Sequence, residues 1–425
     1  MLQTNFIRSN KALVIERLTK RNLDATPLVN NILELDDKRK SIQHSLEDFL
    51  AESNRISKEI GQLFKQGKKD EANAARAGVG ELKSKIKEFE EEARIVHAEL
   101  KDALYQLPNV PHESVPAGNT DEDNEVFKDW ESDLPTANET DLPHWELAEQ
   151  YDIIDMKLGV KITGAGFPVY KGKGAKLQRA LIAFFLDEAD KAGYLEIIPP
   201  LLVNEASATA TGQLPDKEGQ MYHSTVDDLY LIPTGEVPIT NIYRDVIVNE
   251  KEFPIKLTGH TPCFRREAGA YGAHVRGLNR VHQFDKVEIV RIVHPDTSYD
   301  DLHEMLLHVE GLLQKLELPY RILRLCGGDL GFTAALTFDF EVYSAAQERW
   351  LEVSSVSNFE TFQANRLKVR FKDKETKKMK LAHTLNGSAL ALARIVAALL
   401  ENNQTPEGII IPEVLRPYTR FDIID

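Results

Sequence analysis

The sequence predicts an α+β protein in which a long antiparallel helical hairpin precedes a body built around a largely antiparallel sheet flanked by helices. Two observations lead to this prediction. Apolar residues recur with a heptad period through residues 28–107, and from about residue 126 helix-like and strand-like stretches follow one another without regular crossover helices. The sequence has no G-x-G-x-x-G after a first strand and no G-x-x-x-x-G-K-[ST], so neither a dinucleotide-binding fold nor a P-loop is indicated.

Two series of seam residues define the hairpin, each with alternating steps of four and three, as in the a and d positions of a coiled coil. The first series is Leu28, Ile32, Leu35, Arg39, Ile42, Leu46, Phe49, Ser53, Ile56, Ile60 and Leu63. The second is Ala75, Val79, Leu82, Ile86, Phe89, Ala93, Val96, Leu100, Ala103 and Leu107. Residues 66–71 between them are a turn candidate, so the first helix should run about 36 residues, or ~54 Å, and project into solvent.

The hairpin is nearly neutral within an acidic chain. Residues 31–100 hold 13 Lys and Arg against 15 Asp and Glu, whereas the whole chain has a formal net charge of -15. Basic residues crowd the predicted tip at Lys65, Lys68, Lys69 and Arg76. A solvated helix face is the better explanation for the presence of any single lysine here. The functional alternative is that the hairpin is a projecting arm whose basic end binds a polyanion.

Residues 108–125 contain three prolines and an acidic run, which predicts a linker between residues 1–107 and 126–425. Within the body, the predicted helices are 173–192, 298–317 and 388–402. The predicted strands are 195–203, 226–232, 284–293, 320–326, 336–343 and 350–354.

The composition of the chain limits the classes of function that it can have. With 425 residues, 42% hydrophobic and 28% charged, the chain is typical of a globular protein of two or three domains. The acidic balance argues against general nucleic-acid affinity, so phosphate binding must depend on local basic clusters. Two distant cysteines, Cys263 and Cys326, form no disulfide framework and fit a reducing compartment. A signal peptide and membrane span are not indicated, so we expect a cytoplasmic protein.

The strongest basic cluster lies on a loop poor in core-forming residues. It holds four arginines, Arg265, Arg266, Arg276 and Arg280, together with His274 and His282. If residues 265–267 continue a strand, Arg265 and Glu267 face the same way. They then either form a salt bridge, the usual outcome for a bare R-x-E, or bind a phosphate and an exocyclic amine. Phe284 is either a core residue or a stacking platform for a base.

Three further segments have both a structural and a chemical interpretation. Thr234-Gly235-Glu236 is a turn by itself, but with Glu288 it supplies two carboxylates and a hydroxyl suited to an ammonium and a small polar group. Residues 352–355, E-V-S-S, are either a strand end with a helix cap or a magnesium site beside a triphosphate. Small residues from 384 should open a helix in which Arg394 needs a partner anion, either a phosphate or a core carboxylate.

In combination, these segments resemble the class II aminoacyl-tRNA synthetases. Residues 263–288 look like motif 2, 384–394 like motif 3, and 195–200 like motif 1, the dimer-forming strand with its proline. Narrower matches are T-G-E at 234–236, P-C-F-R-R-E-A-G-A-Y-G at 262–272, H-Q-F-D-K-V-E at 282–288, T-L-N-G-S at 384–388 and P-E-V-L-R-P-Y at 412–418. With the helical hairpin, these resemble bacterial-type seryl-tRNA synthetases over essentially the whole chain.

That resemblance implies a class II catalytic domain, a homodimer, and attachment of L-serine to serine tRNA, or to selenocysteine tRNA where one exists, with ATP and Mg²⁺. It also implies that the hairpin binds the long variable arm of the tRNA. The implied serine-binding residues are Thr234, Gly235, Glu236, Glu288 and Ser388, with Asn386 beside them. The implied ATP-binding residues are Arg265, Arg266, Glu267, Val281, Phe284, Glu352, Val353, Ser354, Ser355 and Arg394.

Within that set, Arg265, Glu352 and Arg394 are the implied catalytic residues, and Glu352 and Ser355 hold Mg²⁺ with ATP. The resemblance further implies that Arg265 binds the α-phosphate and Arg394 the γ-phosphate. The chain departs from the family pattern at Gly235, where alanine is usual, and at Ala389 and Ala393, where glycines are common. Rival hypotheses are a ligase that charges a carrier protein, which would lack the hairpin, and an inactive RNA-binding relative, which would have lost catalytic residues. A coiled-coil scaffold would lack the catalytic body.

Overall fold

The computed structural model describes residues 1–136, 138, 141–267 and 275–425. It divides into two compact units, residues 1–19 with 23–108 and residues 20–22 with 109–425. Among the described residues, no helix is long and apolar enough to cross a membrane.

The helices are α1 Thr4–Ser9, α2 Lys11–Leu18, α3 Thr26–Lys65, α4 Lys69–Gln106, α5 His144–Gln150, α6 Met156–Ile162, α7 Gly172–Lys191, α8 Glu205–Thr211, α9 Glu236–Asn241, α10 Ser298–Lys315, α11 Thr361–Leu367, α12 Leu392–Asn402 and α13 Arg416–Thr419.

The strands are β1 Glu125–Lys128, β2 Ile154–Asp155, β3 Val169–Tyr170, β4 Leu195–Glu196, β5 Leu202–Val203, β6 His223–Ser224, β7 Leu229–Leu231, β8 Ile247–Val248, β9 Ile255–Phe264, β10 Gln283–Val293, β11 Tyr320–Arg324, β12 Leu336–Ser344, β13 Arg349–Asn358, β14 Arg370–Lys372, β15 Met379–Leu381, β16 His383–Ala391, β17 Gln404–Thr405, β18 Gly408–Ile410 and β19 Ile423–Ile424.

The predicted helical hairpin is confirmed in the first unit. Helices α3 and α4 are 40 and 38 residues long and pack against each other, joined by a turn at Gly67, whose φ is +78°. The seam brings the rings of Phe49 and Phe89 to a centroid distance of 5.2 Å. Between Ile42 and Ala72 no described hydrophobic side chain is fully buried, because two helices alone cannot cover their own seam.

A buried carboxylate ties the base of the hairpin to the first helix. The Asp36 carboxylate forms ion pairs with Arg8 of α1 at 2.9 Å, with Arg39 at 2.8 Å and with Lys40 at 2.7 Å, measured between nitrogen and oxygen. Burial alone would raise the pKa of Asp36, but the hydrogen bonds from these three cations outweigh it and lower the pKa to about 2. Arg39, which interrupts the predicted seam, is thus a partner of this carboxylate.

The second unit is built on an eight-stranded sheet in the order β1-β11-β12-β13-β16-β10-β9-β4. Every neighbouring pair is antiparallel except β4 with β9. One face, with Val287, Ile289 and Val356, joins a core formed with apolar residues of α7, α10 and α12. The other face is where the polar residues of the candidate site lie.

Several predicted boundaries were wrong. The helix expected at 388–402 begins at Leu392, because residues 383–391 form β16 between β10 and β13. The strand expected at 195–203 is two short strands, β4 and β5, and that at 226–232 shortens to β7. In the expected linker, Asn109 is buried and its amide donates to the carbonyls of Thr333 and Phe359, so this stretch packs within the second unit.

Candidate active site

The strand register gathers the candidate residues on one face of the central sheet. Glu288 on β10 lies opposite Gly259 on β9 and Ser388 on β16. Because side chains alternate along a strand, Phe284 and Lys286 point to the same face as Glu288. This register places Phe284, Glu288 and Ser388 along one surface, whereas Val281 and Val353 are buried in the core.

The predicted serine pocket contains a tightly connected set of polar groups. The Thr234 hydroxyl donates to Glu288 Oε2 at 3.0 Å and accepts from Lys286 Nζ at 2.8 Å. Lys286 Nζ also lies 2.6 Å from Glu288 Oε2, and all three residues are buried. Glu236 is buried beside them and accepts from Gln363 Nε2 at 2.6 Å.

A side chain at position 235 would crowd this pocket. An ideal Cβ there would lie 3.1 Å from Glu288 Cβ and 3.1 Å from Thr261 Oγ1, which is closer than ordinary van der Waals contact. Gly235 therefore suits this arrangement of Glu288 and Thr261, while Thr234 and Glu236 keep their polar side chains in place.

Glu236 holds a proton more tightly in the folded chain than in the unfolded one. Burial and the nearby charge of Glu288 raise its pKa from 4.5 to about 7. Two carboxylates with one lysine give the pocket a charge of -1 when both acids are ionised. One ammonium group would neutralise that charge.

We expect Glu236→Gln to flatten the pH dependence of stability. A raised carboxyl pKa favours the folded state below the unfolded value of 4.5, and this contribution is lost as the pH rises to about 7. Between pH 5 and pH 7.5 the wild-type chain should therefore lose about 2 kcal/mol relative to the variant. Thermal unfolding across this range measures the difference. Substitution of the exposed Glu375 by Gln is the control, and parallel profiles for wild type and Glu236→Gln would contradict the assignment.

Residues 265–267 do not continue a strand, because β9 ends at Phe264 and Glu267 has a φ of +46°. Glu267 pairs with Arg280 at 3.1 Å across the base of the basic loop, and not with Arg265. The Arg265 guanidinium lies 5.3 Å from the centroid of the Phe284 ring. Part of this loop, residues 268–274 with His274, lies outside the described residues.

A β-bulge brings Glu352 and Ser355 to the same face of β13. Glu341 on β12 pairs with Glu352, and Phe340 pairs with Ser354, so Val353 is an extra residue. Without it, residues three apart would point to opposite faces. Asp339 lies on the same face because it pairs directly with Ser355.

Arg394 at the start of α12 completes the site from the side of Glu352. Its Nε donates to the carbonyl of Asn279 at 3.0 Å, and its Nη1 donates to the carbonyl of Glu352 at 2.7 Å. The Glu352 carboxylate lies 3.5 Å away, and the Arg394 side chain is 26% exposed. In place of the core carboxylate that was one of its two possible partners, Arg394 contacts two carbonyls and a half-exposed acid.

The oxygen donors fit a magnesium ion that is also held by phosphates. Among the described residues, no cluster of three or more His, Cys, Asp or Glu side chains could hold a metal by itself. Glu352 and Ser355 supply a carboxylate and a hydroxyl, which Mg²⁺ accepts together with phosphate oxygens and water. One carboxylate oxygen of Asp339 is buried without a hydrogen-bond partner, and burial together with the charge of Glu352 raises the pKa of this acid.

Sequence reasoning missed three polar residues at the site: Lys286, Asp339 and Gln363. Lys286 stands in the quoted H-Q-F-D-K-V-E stretch, and its spacing of two from Glu288 could have indicated a shared face. Asp339 and Gln363 lie on segments with no local signal, because strand pairing and helix packing bring them to the site.

Comparisons with known proteins match both units. Residues 1–111 match the family described as Seryl-tRNA synthetase N-terminal domain, and residues 221–403 match the tRNA synthetase class II core domain (G, H, P, S and T). The chain is 50% identical to a serine–tRNA ligase of Salinibacter ruber over 99% of this chain and 98% of the relative. It is 43% identical to one of Prosthecochloris aestuarii, over 100% of this chain and 99% of the relative. The crystal structure of seryl-tRNA synthetase from Pyrococcus horikoshii complexed with ATP superposes with a TM-score of 0.91, at 33% identity, covering 100% of this chain and 99% of that one.

Proposed function

The chain belongs to the seryl-tRNA synthetase family, and from that premise we infer that it attaches L-serine to serine tRNA with ATP, through a seryl-adenylate. The observation that carries this inference is that an acidic pocket, with a net charge of -1 when Glu236 is ionised, lies beside the cations Arg265 and Arg394. A pocket of that charge suits the ammonium of an amino acid. The neighbouring cations suit a nucleotide triphosphate.

Each part of serine has a counterpart in this pocket. Glu236 takes the ammonium, while Thr234 and Glu288 meet the side-chain hydroxyl, with Lys286 holding the Glu288 carboxylate in place. Gly235 and Ser388 line the same pocket. Alanine would leave the buried acceptors unpaired, which can cost about 10⁴–10⁵ in specificity.

ATP is proposed to occupy the face between Phe284 and Glu352. Phe284 stacks on the adenine, Glu267 accepts from its amino group, and the backbone of Val281 touches the base. Arg265 binds the α-phosphate and Arg394 the γ-phosphate, while Arg266 lies beside the nucleotide. Glu352, Val353, Ser354 and Ser355 form the β13 edge of the site. When Mg²⁺ is bound by Glu352 and Ser355, it offsets phosphate charge.

The reaction needs positioning more than proton transfer. The serine carboxylate is already an anionic nucleophile, so no protein base is required. One of its oxygens bonds to the α-phosphorus as the bond to the β-phosphate oxygen breaks, and pyrophosphate leaves. Arg265 and Arg394 stabilise the developing charge. The terminal ribose hydroxyl of tRNA then attacks the adenylate carbonyl, and AMP leaves.

The proposed assembly is a homodimer in the cytoplasm, where ATP and tRNA are available. Two apolar side chains of the segment that resembles motif 1 are exposed, Leu195 by 63% and Ile198 by 89%, and Leu202 just after it is exposed by 45%. Apolar exposure of this kind favours burial against a second copy. The hairpin is proposed to hold the long variable arm of serine tRNA.

ATP–pyrophosphate exchange without tRNA tests the proposed function. Exchange should occur with L-serine, and we expect alanine to support less than about 10⁻⁴ of the serine kcat/KM. Each of the other amino acids is measured in the same way. Absence of exchange with every amino acid, in folded protein, would reject the synthetase reaction and favour the inactive RNA-binding alternative.

A further inference from the structure

A buried histidine–carboxylate pair lies behind the proposed ATP site and takes no part in the chemistry above. His144 opens α5 and Glu401 lies near the end of α12, with side-chain exposures of 1% and 0%. His144 Nδ1 is 2.6 Å from Glu401 Oε1, and the backbone N–H of His144 donates to the same oxygen at 2.9 Å. Ser344 and Gln347 also donate to this carboxylate.

These contacts determine which imidazole nitrogen carries the proton. Burial by itself would raise the pKa of Glu401, but the hydrogen bonds that the carboxylate accepts from His144 and Ser344 lower it below its usual value. An ionised carboxylate only accepts hydrogen bonds, so Nδ1 of His144 is the protonated nitrogen. Nε2 is then an acceptor, and the backbone N–H of Leu278 lies 2.8 Å from it.

The chain at Leu278 approaches the histidine so closely that its preceding residue must be small. Gly277 has a φ of +67°, and an ideal Cβ there would lie 2.2 Å from His144 Nε2. Gly277 therefore permits both the backbone turn and the contact with the ring. One residue earlier, the Arg276 guanidinium lies 4.8 Å from the centroid of the Trp145 ring, so α5 contacts this end of the basic loop twice.

The residue after Leu278 contacts Arg394, the proposed γ-phosphate ligand. The carbonyl of the next residue, Asn279, accepts from Arg394 Nε at 3.0 Å. The Asn279 side-chain amide donates to Gln347 Oε1 at 2.9 Å, and Gln347 Nε2 donates to Glu401 at 2.9 Å. Two hydrogen-bonded routes therefore lead from Glu401 to Asn279, one through His144 and one through Gln347.

We propose that His144, oriented by Glu401, is a positioning residue for ATP: it fixes the backbone at Leu278 so that the Asn279 carbonyl aims Arg394 at the phosphates. This inference rests on the proposed function of Arg394. His144 itself does not touch ATP. Its effect should therefore be specific to ATP and should depend on Arg394.

Two substitutions separate this role from a general need for a buried side chain. Asparagine places its amide near the Nδ1 position, so His144→Asn can keep a donor to Glu401 but cannot reach Leu278. Glutamine is one carbon longer, so His144→Gln can place a carbonyl oxygen where Nε2 accepts from Leu278. Both variants should lower the unfolding temperature by similar amounts, because both disturb the same buried site.

The measurements are the kcat and KM for ATP in serine-dependent exchange, together with equilibrium binding of Mg·ATP in the absence of serine. We expect His144→Asn to lower kcat/KM for ATP by about 10- to 100-fold and to weaken ATP binding, with the KM for serine within about twofold. His144→Gln should stay within about threefold of wild type. In the Arg394→Ala background, the effect of His144→Asn should shrink to less than about threefold.

Other outcomes would overturn the proposal. They are equal losses in the two variants, a loss in the serine KM as large as that in the ATP KM, or an undiminished effect of His144→Asn when Arg394 is absent. Each would assign His144 a purely structural role. Equilibrium binding of ATP is measured without turnover, so it tests the role of His144 separately from the reaction. A wild-type protein that binds ATP but gives no serine-dependent exchange would reject the proposed function. The ATP affinities of the two His144 variants would still show whether His144 positions Arg394.

Discussion

Arg394→Ala should lower kcat/KM for ATP in serine-dependent exchange by about 10²–10³-fold. The guanidinium is held by two carbonyls, of Asn279 and Glu352, so its remaining N–H groups are aimed and its charge is fixed before ATP arrives. Pre-positioned charge of this kind is worth about 10²–10³ in rate when it is removed. The KM for serine should change little, because Arg394 does not contact the pocket of Thr234, Glu236 and Glu288.

Lysine at this position should recover only part of the activity. Its single ammonium group cannot satisfy both carbonyls and also present a planar pair of donors to a phosphate. Arg370→Ala, at an exposed position of β14, is the control for loss of a cation elsewhere, and thermal unfolding checks that each variant is folded. An Arg394→Ala enzyme within threefold of wild type would exclude this residue from the ATP site.

Shortening the hairpin should separate tRNA charging from serine activation. Phe49 and Phe89 face each other across the seam, so removing residues 53–85 and joining Glu52 to Ile86 through a short glycine-serine turn keeps the inner part of the hairpin in register. The removed segment carries the basic tip, with Lys65, Lys68, Lys69 and Arg76. Loss of its phosphate contacts should lower kcat/KM for serine tRNA by about 100-fold, or ~2.7 kcal/mol, while exchange stays within twofold.

A tRNA with a shortened variable arm provides the matched control for this truncation. If the hairpin acts by gripping that arm, full-length and truncated enzymes should charge the shortened tRNA equally poorly. The truncated enzyme should also depend less steeply on salt concentration, because fewer counterions are released on binding. Normal charging of intact serine tRNA by the truncated enzyme would refute the proposed role of the hairpin.

The hairpin could be predicted from the sequence because each helix packs against its neighbour in the chain. A heptad pattern records that contact locally, and the differences lie at the helix ends: α3 has 40 residues against about 36 expected, and α4 begins at Lys69, inside the predicted turn of residues 66–71. Only the structure explains why Arg39 interrupts the seam. Its partner Asp36 is buried by contacts that the seam pattern does not contain.

Residues 383–391 illustrate where local reasoning failed. Their small side chains suggested the start of a helix, but the segment forms hydrogen bonds to β10 and β13 on either side. Burial in a central sheet outweighs intrinsic preference, so the strand could not be inferred from composition. As a consequence, Ser388 lies opposite Glu288 on the face of the site.

The sequence by itself determined the order of the segments, the residue types that a serine-activating site needs, and the hairpin, since these are local or pattern-level properties. Tertiary structure alone decided which of those residues share a face. The extra residue Val353 turns Glu352 and Ser355 to the same side, Lys286 neutralises Glu288, and a loop carbonyl held through His144 orients Arg394. These features depend on strand register and on contacts between residues far apart in the chain, and neither leaves a periodic signal in the sequence.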